Sequence, residues 1–468
     1  MNYYEYFDVY ESLTKKYQNS MTEENWKELQ SAEERFISSA NEAISQGDDE
    51  AAIKLADYYY YTKINKSGDR VKDSIKAESV MEIGDVWKND IWPACYYAMY
   101  CDINGHYDKA IGLKELFKED RESGFYYVIE FAEEWAEIFT SSDSIIKEDL
   151  QVLCKKFMEK YAEDHEEIDE IFALSYISDI VTENEEYIQV FAYPIEQEIN
   201  GLRDGTTTPQ PEKLGFYTSI LGSVSIHYGS NGDNVFASYY LALAMYVEDI
   251  LIKDGPKDFI KRYIELFRGS FLASVFPFRN VSEDADALLT LAAVLMSKID
   301  VSAKAWLGYK AFTDKKYDLC FQHLTEVMNS GICKEYPECE LLWEICQFKL
   351  NRKNADSFID AIAPIYDNYL DLEDEENVLE LLCILDDAGI GLLSQRWAFY
   401  GVEKLPTINM YITAAFYYLY PVGDIKRDEE SAYKMFAEAA KLGDEESKKE
   451  LKNFRRSLFG KLSYVKNL

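Results

Sequence analysis

Proline and glycine are both scarce, at 10 and 22 in 468 residues. Proline lacks a backbone donor and clashes with the preceding helical turn, so its rarity permits long helices and excludes collagen-like and proline-rich classes. Sustained alternation of apolar and polar residues is also missing, which excludes an extensive half-buried sheet. No apolar run approaches the ~20 residues that a helix needs to cross a bilayer. The opening Met1-Asn2-Tyr3-Tyr4-Glu5-Tyr6-Phe7-Asp8 is acidic and aromatic, without the basic start and apolar core of a secretory signal. The expectation is a soluble, cytoplasmic protein with no membrane partner.

Metal chemistry has little to draw on. The four histidines (His106, His165, His227 and His323) stand far apart, and none of the eight cysteines forms a Cys-x-x-Cys pair. Cys95, Cys101, Cys154, Cys320, Cys333, Cys339, Cys346 and Cys383 are expected as small apolar core residues in a reducing compartment. Neither a metal nor a cofactor is expected. Basic residues are outnumbered, 49 against 85 acids, for a net charge of −36. Such a charge repels phosphate backbones and anionic lipid, so nucleic acid is not an expected partner. It maintains solubility, and it favours a basic protein partner.

Apolar residues make up 47% of the chain and recur mostly at spacings of three and four, which predicts an almost wholly helical protein in segments of ~12–18 residues. Glycine, asparagine and aspartate mark the stops, at Gly47-Asp48-Asp49, Asn104-Gly105, Asn231-Gly232-Asp233 and Gly443-Asp444. Gly201 to Gly215 holds Gly205, Thr206 to Thr208, Pro209 and Pro211, and reads as a linker or long loop. The expected organisation is a helical region over residues 1–200, the linker at 201–215 and a second helical region over 216–468. Smaller breaks are expected at 276–280 and 401–406.

A repeated grammar carries most of the information. Near the C-terminus it reads Asp428-x-x-x-Ala432-x-x-x-Phe436-x-x-Ala439-Ala440-x-x-Gly443-x-x-x-Ser447. Near the N-terminus, Ala43-Ile44-x-x-Gly47-x-x-x-Ala51-x-x-x-Leu55-Ala56-x-x-Tyr59 continues the same frame, followed by Asp73-x-x-x-Ala77 and Gly84. Alanines let two helices approach closely, an aromatic fills the remaining groove, and the glycine supplies a left-handed cap. The acid after it sits at the next helix N-terminus, where the dipole favours it.

These residues resemble the Sel1-like repeat family, a relative of tetratricopeptide repeats. The clearest copy lies near 410–454, with Tyr420-x-x-Gly423 matching the end of the family's first helix. Tyr417 stands where a small glycine is usual, and the Gly423-to-Asp428 loop is shortened. Looser tetratricopeptide-like echoes occur at Asn104-Gly105-His106-Tyr107-Asp108-Lys109-Ala110 and at Ala305-Trp306-Leu307-Gly308-Tyr309, followed by Lys316-Tyr317-Asp318. The resemblance implies an all-α fold, an α-solenoid of stacked antiparallel helix pairs. It also implies a face lined by the first helix of each pair that grips a protein or peptide.

Reaction chemistry is not expected. Ser12-Leu13-Thr14-Lys15 has the spacing for a lysine-activated serine but no second motif. Gly389-Ile390-Gly391 is half a phosphate-binding turn and reads as a helix break. His165 lies among acids that suit a solvated helical face, and Asp371 to Glu376 reads as a helix start. Tyrosine is abundant at 37 residues, and a run such as Tyr58 to Tyr61 cannot point every ring inward. With Tyr59 at the core position, Tyr58, Tyr61, Tyr96, Tyr100 and Tyr418 are the expected partner-binding residues. From Lys448 onward, seven basic residues (Lys448, Lys449, Lys452, Arg455, Arg456, Lys461 and Lys466) accompany the single acid Glu450. Leu451, Phe454 and Leu458 form an apolar stripe, predicting a basic capping helix that closes the last repeat. The functional expectation is a non-enzymatic scaffold or adaptor that binds a protein partner through an acidic, tyrosine-rich surface. The alternative is an immunity or inhibitor protein that neutralises a basic toxin or nuclease.

Overall fold

Helix start and stop signals build this protein. Thr22, Asp48, Asp233, Asp374, Asp428 and Asp444 each precede a helix, and the side chain of each accepts a backbone N–H of the first turn. Gly47, Gly232 and Gly443 end the preceding helices with φ of +87°, +83° and +106°. The next amide in each case reaches back to a carbonyl of the helix just completed: Asp48 to Ala43, Asp233 to Tyr228, Asp444 to Ala439. Two adjacent residues thus close one helix and open the next. The same turn forms without glycine at Lys315, Asn351 and Glu373, with φ of +60°, +55° and +55°. There Lys316, Arg352 and Asp374 make the reaching bond to Ala311, Gln347 and Tyr369.

The computed structural model describes residues 2–141, 147–170, 173–276, 281–332, 336–457 and 461–465. The fold is all-α, with 79% of the chain helical. It divides into two compact units, Met1–Ser270 and Phe271–Leu468. That boundary differs from the one expected at 201–215. Helix Glu185–Asp204 runs through Gly201 and stops at Gly205, and helix Leu214–Ser230 begins soon after. The buried Lys213 is paired with Glu198 of the preceding helix at 2.9 Å, so this segment folds within the first unit. The expected break at 276–280 falls largely outside the described residues.

In the second unit, each helix packs chiefly on its sequence neighbours, from Glu283–Met296 through Ala303–Thr313, Tyr317–Ser330, Pro337–Lys349, Ala355–Asp371, Glu375–Asp387, Gly391–Lys404, Ile408–Leu419 and Glu429–Lys441. This helix-pair packing is compatible with a stacked array. The seams follow the alanine logic. Ala414 and Ala415 are fully buried, as are Ala432 and Ala439, while Phe436 fills the space between the helices that carry them.

The chain closes differently from the expected capping helix. Helix Glu445–Glu450 gives way to a 3₁₀ turn, and Phe454–Arg456 (β1) pairs antiparallel with Leu462–Tyr464 (β2). Leu462 and Tyr464 alternate with the exposed Ser463, so both buried side chains join Phe454 and Phe436 in one apolar cluster. A period of two over these few residues outweighs the helical stripe. Leu458 and Lys466 lie outside the described residues.

The first unit has longer-range packing. Helix Ile91–Ile103 touches helices Ser74–Glu82, Tyr107–Ala110, Gly124–Ser141 and Ala173–Glu183, and its residues from Pro93 to Asp102 are all buried. Glu78 is buried too, and ties in the segment after this helix. It accepts from Asn104 Nδ2 at 2.6 Å, meets His106 Nδ1 at 2.7 Å and pairs with Lys109 at 2.5 Å. Two other buried acids form no such ion pair among the described residues. Asp102 accepts only the Tyr176 hydroxyl, at 2.5 Å, and its other oxygen has no partner. Burial drives its carboxyl well above the usual range. Burial also pushes Asp57 up to about 7, against the smaller opposing effects of the Tyr100 hydroxyl at 3.2 Å and of Lys54.

An acid whose folded pKa is raised contributes stability while it stays protonated, and that contribution is lost as pH rises towards the folded value. The protein is therefore expected to lose about 2 kcal/mol through Asp57 between about pH 5 and about pH 7. Asp57→Asn should remove that part of the slope in urea melts; an unchanged slope refutes the assignment. The left-handed positions make a second prediction. Glu373→Gly should raise stability by about 1 kcal/mol, and Gly443→Ala should lower it by a similar amount. Urea midpoints report both.

Candidate functional site

The five expected tyrosines do not converge on a surface. Tyr58 is fully buried, edge-on to Tyr10 and Phe36 at 5.2 and 5.3 Å, and its hydroxyl donates to Glu33. Tyr96 and Tyr100 are buried in the surrounded helix Ile91–Ile103. Tyr61 is half-buried, edge-on to Tyr60 at 4.7 Å. Tyr418 is half-buried and stacks on Phe399 at 4.1 Å. Three of the five are thus core residues. Tyr59, expected inside, is only half-buried. The cause is a π-helical turn over Tyr58–Thr62, where Lys63 N–H donates to Tyr58 O at 2.9 Å. The wider turn shifts the phase at which side chains face the core.

The other sequence candidates are structural. Ser12 and Lys15 lie on the exposed side of helix Tyr3–Asn19. Gly389 is a left-handed helix stop, and Asp374 caps the helix that Glu375 and Glu376 begin. His165 packs near the Tyr161 ring at 6.1 Å. Among the described residues, no group of three His, Cys, Asp or Glu side chains is placed to hold a metal. Six cysteines are buried and Cys383 is exposed; Cys333 lies outside the described residues.

A different surface gathers accessible aromatic and apolar groups. Helix Glu375–Asp387 buries Val378, Leu381, Leu382 and Leu385 in its own packing. The adjoining stripe of Leu379, Leu382, Cys383 and Asp386, at steps of three, four and seven, borders an open groove of about 350 Å³. The opposite wall repeats that spacing with Thr413, Phe416, Tyr417 and Tyr420, from helix Ile408–Leu419 and its cap. These two helices are the first members of consecutive pairs. Phe416 is 41% exposed and Tyr420 54%. Large apolar side chains this open, and this close together, make the groove the candidate interaction surface.

A polar ridge crosses the groove. The Tyr417 hydroxyl donates to Asp386 and lies 2.5 Å from the hydroxyl of buried Ser394, which donates to Leu382 O at 2.9 Å. Burial and the Asp386 contact raise the Tyr417 phenol well above its ordinary range, so it stays a neutral donor. Tyr417 joins two helix pairs. Burial also raises the Cys383 thiol, followed by the carboxylates of Asp386, Asp387 and Glu380. The groove therefore combines apolar walls with an acidic fringe, a neutral thiol and no facing cation in its lining.

Sequence reasoning overlooked Leu379, Cys383, Phe416 and Tyr420. The available signal was a second apolar stripe on each helix, wider than packing within one pair requires. Compared with known proteins, the sequence matches no family model and no curated protein.

Cys383 should be the described cysteine that N-ethylmaleimide labels in the folded protein, with a rate that continues to rise above about pH 9 because the thiol is raised. Peptide mass mapping reads both. Labelling of Cys95 or Cys154 ahead of Cys383 contradicts the placement.

Proposed function

We propose that this protein is a non-enzymatic binding scaffold of stacked helical hairpins, akin to Sel1-like repeat proteins. Its groove between Glu375–Asp387 and Ile408–Leu419 receives a segment of a partner protein. The segment carries apolar side chains on successive helical turns, with lysine or arginine beside them. One observation carries this reading: two consecutive first helices present matched apolar stripes to the same open groove, and Phe416 and Tyr420 remain exposed there. Aromatic anchors in a desolvated cleft supply most interface energy, and acids at the rim steer and orient a basic partner. Asp386, Asp387 and Glu380 set that preference by charge complementarity.

Selection of phage-displayed random peptides on the immobilised protein tests the proposal. Enriched peptides should show aliphatic or aromatic residues at a spacing of three or four with adjacent Lys or Arg. Thr413→Arg, which fills the groove and offsets part of its negative charge, should weaken them about tenfold or more while leaving the circular dichroism melt unchanged. Association should slow as salt rises. Peptides that bind wild type and Thr413→Arg equally, or that are rich in Asp and Glu, defeat the reading.

A further inference from the structure

In the first unit, a short loop is pinned against helix Tyr3–Asn19. Ile64 and Arg70 form an antiparallel bridge, supported by Val71 N–H to Lys63 O at 2.8 Å and Asn65 N–H to Asp69 O at 2.9 Å. Gly68 allows the reversal with φ of +82°. The Tyr17 hydroxyl donates to Lys66 O, and Gln18 Nε2 donates to Gly68 O at 3.1 Å. The backbone that carries Arg70 is thus fixed relative to the helix that carries Glu11, Thr14 and Lys15.

A pocket of about 180 Å³ lies between them, bordered by Glu11, Thr14 and Lys15 on the helix, Tyr61 in the π-turn and Arg70 on the loop. Neighbouring lysines are neutralised within the protein, Lys16 by Glu28 and Lys66 by Glu23. Among the described residues, Glu11, Lys15 and Arg70 make no ion pair, although Glu11 and Lys15 have the i, i+4 spacing that favours one. The Thr14 hydroxyl is buried near Tyr10 and makes no hydrogen bond of normal geometry among the described residues. Turning it into the pocket therefore breaks no bond. Burial, then Asp57 and Asp179, raise the Tyr61 phenol well above its ordinary range, so it stays neutral there.

We infer that this pocket binds a small molecule that carries two carboxylates and one ammonium, an acidic amino acid. Two cations and one acid around the cavity are complemented by two anions and one cation on the ligand. Arg70 and Lys15 take the carboxylates, and Glu11 takes the ammonium. The cavity is smaller than the roughly 300–1,000 Å³ of drug-sized sites, which suits an amino acid and is too small for a nucleotide. The chain as a whole carries a charge of −36, yet these three groups leave one positive charge in excess at the pocket. Charges beyond about 8 Å are largely screened at physiological salt, so the local excess decides.

Modification of Arg70 by p-hydroxyphenylglyoxal, followed by peptide mass mapping of the intact chain, reads occupancy directly. Millimolar L-glutamate or L-aspartate should slow it about fivefold against sodium chloride of equal ionic strength, while the other arginines react unchanged. Glutarate has both carboxylates but no ammonium and should protect less. In Glu11→Gln that preference should vanish, and in Lys15→Gln protection by all three should weaken. Both side chains are exposed, so neither change disturbs the packing. An Arg70 rate unchanged by either amino acid, protection spread over every arginine, or glutarate as effective as glutamate on the wild-type protein overturns the proposal. So does a preference for glutamate that survives Glu11→Gln.

Discussion

Every hairpin that turns in this way depends on one residue in a left-handed conformation, followed by an amide that reaches back into the helix just completed. At Gly443-Asp444 the second residue also caps the next helix, so a single dipeptide sets both the end of one cylinder and the origin of another. The loop has little freedom left, and the two helices must pack against each other. Alanines at 414, 415, 432 and 439 then determine how closely. Successive turns of this kind in the second unit give helix-pair packing, and helices Glu375–Asp387 and Ile408–Leu419 line one groove.

Much of this was legible because it is local. Gly47-Asp48, Gly232-Asp233 and Gly443-Asp444 announce themselves, and so does the acidic helix start at Asp374. The turns at Lys315 and Asn351 carry no glycine to mark them; both residues are exposed, and the helix-closing bonds from Lys316 to Ala311 and from Arg352 to Gln347 form there all the same. Tyr58 to Tyr61 were misplaced for a different reason. A π-turn changes the angular step between residues, and a reading at 3.6 per turn falls out of phase beyond it. Tyr96 and Tyr100 were misplaced because Ile91–Ile103 has neighbours on every side, which a sequence expresses only as uniform apolarity.

The division into units was hidden for the opposite reason. Pro209 and Pro211 look like a linker, yet the helices flanking them are joined by Lys213 and Glu198. The boundary itself falls within helix Asp258–Val275, where no break in composition marks it. At the candidate site the overlooked residues share a simple property. Leu379, Phe416 and Tyr420 are not consumed by packing within a pair, and although Phe416 meets Phe436 edge-on at 5.5 Å it stays 41% exposed; excess is harder to read than pattern. Tyr417 is instructive in another way. It departs from the small residue usual in the resembling family, and its ring and hydroxyl link Asp386 with Ser394 across two pairs.

Cys383 has a consequence for the behaviour of the protein in solution. Disulfide exchange and peroxide oxidation both proceed through the thiolate, and burial, followed by the three carboxylates of Asp386, Asp387 and Glu380, disfavours that form. Cys383, exposed among the described cysteines, is thereby also a sluggish one. Two molecules meeting groove to groove at this sulfur face both slow sulfur chemistry and mutual charge repulsion, which disfavours a covalent dimer through Cys383.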